Sequence, residues 1–117
     1  MKKVTDVHVH LVALPEADNG CFISPRMMRS LPFRVLVWKL GMDLARPPAA
    51  NVAYVERLLR ELGRSQKVGK AVLLALDAVY DHDGRLDRTR TDFLISNRYV
   101  LQVARRRCSC PSVRLLE

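Results

Sequence analysis

The chain places two strand-like segments, residues 3–9 and 71–76, on either side of a long helical stretch. A further helical pattern follows the second. Strands that alternate with helices imply βα units and a parallel sheet. In the first segment Val4, Thr5, Val7 and Val9 are β-branched, and polar and apolar residues alternate. In the second, the run "AVLLAL" is continuously apolar, as in a strand buried on both faces.

The intervening punctuation is explicit. Residues 11–24 contain Pro15, Asp18, Asn19 and Gly20 and read as loop. Ser24 and Pro25 read as the N-cap and first residue of a helix. Pro32 should kink or split that helix, and Gly41 should end it. "ARPPAAN" reads as a connector. Beyond it, Val52, Val55, Leu58, Leu59 and Leu62 recur at helical spacing, and Gly63 ends the helix. "YDHDGRLDRTR" is turn chemistry, and Asn97 is positioned to cap a last helix bearing Tyr99, Val100, Val103 and Ala104 on one side.

The 117 residues suit one small domain. Apolar runs fall far short of the ~20 residues that span a bilayer. The basic start "MKKVTDVHVH" is broken by Asp6, His8 and His10, unlike a signal peptide. A cytoplasmic location, reduced thiols and no membrane partner are therefore expected. Cys21, Cys108 and Cys110 match no zinc-finger spacing, and their odd number argues against a disulfide framework. The net charge of +8 first suggests nucleic acid. However, Arg98, Arg105, Arg106, Arg107 and Arg114 against Glu117 supply +4 of it within residues 98–117. The few aromatic residues do not interleave with the basic ones as a base-stacking platform requires, so nucleic acid is not the favoured partner.

The chemistry concentrates at His8 and His10. On a strand, residues i and i+2 share a face, with Cβ atoms roughly 6.6 Å apart, so two imidazoles can lean onto one ion. Both stand at the carboxyl end of the first strand, where parallel α/β folds build their sites. Asp6, one step back, is a candidate acceptor for a ligand histidine. Asp77, at the end of the second strand, is a candidate catalytic residue, with a local loop-capping role as the alternative. His82 reads as part of an exposed turn, and "DHDG" lacks the rest of a calcium loop. Cys21 has no evident base, and neither a phosphate loop nor a nucleophile elbow is present.

Four segments, "TDVHVHL", "NGCFISPRMMRSLPFRVL", "AYVERLLRELGRSQKVGKAVLLALDAVYD" and "DFLISNRYVLQVARR", together resemble the N-terminal part of the amidohydrolase superfamily. The nearest branch is the amidohydrolase-related metal-dependent hydrolases, which includes decarboxylases. The resemblance covers roughly residues 2–106 and implies α/β architecture as the N-terminal portion of a (β/α)8 TIM-like barrel, about two βα units of it. It implies a divalent metal, zinc first, with iron, manganese or cobalt as alternatives. The metal would activate water against an amide, ester or lactone of a small-molecule substrate, or support decarboxylation. His8 and His10 match the family's two first-strand metal ligands.

The chain departs from that family in length, since a barrel takes roughly 250 residues. From about residue 107, "RRCSCPSVRLLE" loses helical and strand periodicity. The expected division is residues 1–106 as barrel portion and 107–117 as an irregular, out-of-frame or truncated tail. Part of a barrel leaves strand edges unpaired. The isolated chain is therefore expected to be poorly folded or to aggregate, and to lack hydrolase activity unless a partner chain or oligomer completes it. Three readings stand side by side: an enzyme portion, a non-catalytic truncated product and a small basic nucleic-acid-binding module.

Overall fold

The computed structural model describes residues 2–105 and the backbone of 114–116. The elements are β1 (Val4–His10), β2 (Phe22–Ile23), α1 (Pro25–Arg29), α2 (Leu31–Lys39), α3 (Pro47–Arg64), β3 (Val68–Leu74), β4 (Phe93–Leu94), α4 (Asn97–Arg105) and β5 (Arg114–Leu116). The architecture is mixed α/β, with a small parallel sheet of order β1-β3-β5 and an antiparallel pair, β2-β4. Of the tail expected to be irregular, residues 114–116 pair with the edge of β3. An open strand edge offers a row of backbone donors and acceptors that even a short segment can satisfy. The remainder of 106–117, with Cys108 and Cys110, lies outside the described residues. No described helix is long and apolar enough to cross a membrane.

The serines set the helix boundaries. Ser24 Oγ accepts from the Met27 backbone N–H at 3.0 Å, with Pro25 at the first helical position, as expected. Pro32 goes with a split rather than a kink. Ser30 ends α1 and caps α2, its Oγ accepting from the Phe33 N–H at 3.4 Å, and Pro32 falls in the first turn, where no N–H is needed. The same rule corrects the connector reading of "ARPPAAN": Pro47 opens α3. That helix buries Ala50, Asn51, Tyr54 and Val55 and leaves Val52 exposed. The buried stripe thus runs one residue off the all-aliphatic one.

The second strand starts three residues earlier and is less enclosed than its composition suggests. It ends at Leu74, with Leu76 in an isolated bridge to Ile95. Ala71 and Leu73 are fully buried, while Val72 and Leu74 are half-exposed. Helices pack fully against only one face, so burial alternates along the strand. The core gathers Val9, Leu11 and Leu14 with Val55, Ile95, Tyr99 and Val103.

The loop after β1 runs through this core, and its backbone is satisfied by side chains. Asn51 Oδ1 accepts from the Leu14 N–H at 2.7 Å, and Asn51 Nδ2 donates to the Leu14 carbonyl at 2.9 Å. Asn19 Nδ2 donates to the same carbonyl at 3.0 Å. A buried loop otherwise carries orphaned peptide groups.

The β2–β4 pair is fastened by Asp92. Its carboxylate accepts from Ser24 Oγ at 2.8 Å and from Arg26 Nη2 at 2.7 Å. The Arg26 guanidinium, helped by Ser24, holds this carboxyl below the usual carboxylate range. A depressed pKa contributes stability above the unfolded value, about 3.9, that is lost as pH falls through the folded value. Asp92→Asn is therefore expected to flatten the acid limb of a thermal-stability profile below about pH 4. Acid limbs of equal steepness in the two proteins would contradict this role.

Candidate metal centre

His8 and His10 occupy the last turns of the pleat in β1 and both are exposed. Their rings meet edge to face, with centroids 4.7 Å apart and planes at 79°. The two Nε2 atoms stand 3.0 Å apart. Two ligand nitrogens at about 2.0–2.1 Å from a tetrahedral ion would be roughly 3.3–3.4 Å apart. The spacing thus fits a shared cation after a small opening of the pair. Without an ion, one Nε2 donates its proton to the other.

The strand end is held from behind. Tyr54, on α3, donates its hydroxyl to the His10 carbonyl at 3.4 Å. Burial pushes the Tyr54 phenol above its ordinary value, which keeps it a donor. Neither Tyr54 nor Asn51 is singled out by residue type alone. Their signal is placement: a polar and an amphipathic side chain on the inward stripe of α3.

Asp6 is not on the imidazoles. Its carboxylate accepts from the His8 backbone N–H at 3.1 Å. The pairings Asp6 with Ala71 and Val9 with Leu73 leave an extra residue in β1, and that irregularity breaks strict alternation along the strand.

Asp77 lies three residues beyond the end of β3, exposed, and accepts from the Ala78 N–H at 2.8 Å. It also bonds Tyr80, whose phenol it pushes upward. With Leu74, Tyr80, Ile95 and Asn97 it lines a cleft of about 500 Å³. Leu74, which lines the cleft, pairs in register with His10, and neither His8 nor His10 lines it. Among the described residues no third histidine, cysteine or carboxylate joins the pair in a metal-holding set of three.

His82 sits in the turn expected of it. Asp81 Oδ1 accepts from the N–H groups of Asp83 and Arg85, at 2.9 and 2.8 Å. Gly84 takes a φ of 76°, where a side chain would be strained. Cys21 is half-buried, and burial raises its thiol pKa, the opposite of an activated nucleophile.

The arrangement is a pair of imidazole nitrogens in contact at the carboxyl end of a parallel strand. Set against known protein families, curated proteins and solved structures, the chain matches none.

Proposed function

We propose that this chain is the N-terminal part of a metal-dependent hydrolase or decarboxylase of the amidohydrolase type, with His8 and His10 as two of its metal ligands. The observation that carries the reading is the convergence of their Nε2 atoms, 3.0 Å apart, on the carboxyl end of β1. The strand order supports it: β1, β3 and β5 are parallel neighbours in chain order, as successive strands of a (β/α)8 barrel are.

Zinc is the first candidate, with iron, manganese or cobalt alternatives; when bound, the ion supplies a Lewis acid and lowers the pKa of a coordinated water. This chain's own residues do the rest. His8 and His10 hold the ion, Tyr54 fixes the backbone of the second ligand, and the cleft lined by Leu74, the register partner of His10, receives a small-molecule substrate. Asp77 presents an acceptor there. Two ligands leave the other coordination positions to groups outside the described residues, so the chain by itself is expected to bind metal weakly and to be inactive.

Proton NMR of the two imidazoles during a zinc titration tests the reading. Both rings should shift together and saturate at one ion per chain. Rings that do not respond, or His82 responding in their place, would remove its basis.

A further inference from the structure

The second helix carries an apolar ridge that the fold does not use. Phe33 and Val37 are buried on its inner side. On the opposite side Leu31 is 73%, Val35 42% and Trp38 77% exposed. At about 100° per residue these three fall within roughly 60° of arc. Arg34 lies about 40° beyond Trp38, and Lys39 about 40° beyond Val35. Both are exposed. The ridge is thus apolar along its crest and cationic on both flanks.

Along this stretch of the chain the charge is of one sign. Between Asp18 and Asp43 the chain has no carboxylate and carries Arg26, Arg29, Arg34 and Lys39. Arg26 is taken by Asp92. Arg29, Arg34 and Lys39 pair with no carboxylate among the described residues.

We propose that the ridge of Leu31, Val35 and Trp38, flanked by Arg34 and Lys39, docks this protein onto an anionic lipid bilayer. An exposed tryptophan beside Leu and Val, with Arg and Lys on either side, joins an apolar crest to cationic flanks, the two attractions that hold a protein at an anionic headgroup surface. Its indole offers an apolar body to the acyl boundary and an N–H to the headgroups. The cations meet anionic headgroups directly, each strengthening attachment severalfold. The crest is convex, so it inserts into a yielding surface and offers no groove to a peptide. A second copy meeting it ridge to ridge would set Arg34 and Lys39 against their own kind. A nine-residue helix lies on a bilayer and does not span it. Absence of a spanning segment, the ground for expecting no membrane partner, therefore does not bear on this surface. The inference is independent of the metal reading.

Trp38 is the only tryptophan in the chain, so its fluorescence reports the ridge alone. Emission should move to shorter wavelength on vesicles of phosphatidylcholine containing phosphatidylserine, and not on phosphatidylcholine alone. Arg34→Gln and Lys39→Gln should each weaken vesicle binding about fivefold, and roughly 1 M salt should reverse it. Leu31→Ser with Val35→Ser leaves Phe33 and Val37 in place and should abolish the shift. No shift on the anionic vesicles overturns the proposal, as does an equal shift on phosphatidylcholine or a shift that survives the double serine variant. A blue shift that grows with protein concentration without lipid would assign the ridge to a second copy instead.

Discussion

Replacing His8 with alanine is expected to lower the affinity for zinc by more than about 100-fold, since loss of an outer-shell partner alone costs 10–100-fold. His10→Ala should do the same. A chelate gains over two single imidazoles because the second nitrogen is already in place. Here its position is set by the strand and by the contact at 3.0 Å between the rings. Removing either ring leaves one exposed imidazole with no third donor nearby among the described residues. Asp77→Asn, in contrast, should leave zinc affinity unchanged, because Asp77 lines the cleft and joins no metal-holding set. Competition against a chromophoric chelator measures all three variants. The Cys21, Cys108 and Cys110 thiols should be alkylated first, since thiolates are competing soft donors. Affinity that survives both histidine substitutions would place the ion elsewhere and end the chelate reading.

Asn51→Leu is expected to cost about 2–3 kcal/mol, at the upper range of single substitutions in a domain of this size. Leucine has the same branched skeleton but is bulkier, so some overpacking adds to the cost. What goes is the acceptor for the Leu14 N–H at 2.7 Å and one of two donors to the Leu14 carbonyl. The carbonyl still has Asn19 at 3.0 Å, but the N–H has no other partner among these bonds. A buried peptide donor without an acceptor carries the full desolvation penalty, which exceeds the mean value of a hydrogen bond. The melting temperature should fall by roughly 10–20 °C. Asn51→Asp separates the two halves of the amide. It keeps an acceptor for the N–H but faces a carboxylate oxygen to the carbonyl, and should be at least as damaging at neutral pH. A variant that melts within a few degrees of the parent would show that water or loop adjustment replaces the amide.

Much of the architecture could be read from the chain, for identifiable reasons. The β-branched residues from Val4 to Val9 mark β1, although only Val9 among them is buried, because branched side chains suit a pleated backbone. Ser24, Pro25 and Pro32 mark the helix starts because their chemistry is local. What failed depends on distant neighbours. "AVLLAL" looks buried on both faces, yet only one face of β3 is fully covered, and composition cannot show how many layers surround a strand. Val52 looks like core, but Asn51 takes that place because the loop at Leu14 needs an amide more than the helix needs a methyl group.

The site divides in the same way. His8 and His10 meet because i and i+2 on a strand must share a face. Asp6 turns instead to the His8 backbone N–H, beside a one-residue slip in the pairing with β3, which is a property of two strands together. Asp77 keeps to its own loop, as short polar residues beyond a strand often do.

The strand that bears the histidines is held along one side only. Among the described residues β1 pairs only with β3, and Val4 and Val7 project into solvent. An element hydrogen-bonded along one side opens locally at a lower free energy than an interior one. An ion that binds only the closed strand draws the equilibrium toward closure by mass action. If His8 and His10 hold an ion as proposed, chelation would also clasp the margin of the sheet, and amide protection along residues 4–10 is expected to rise with metal occupancy.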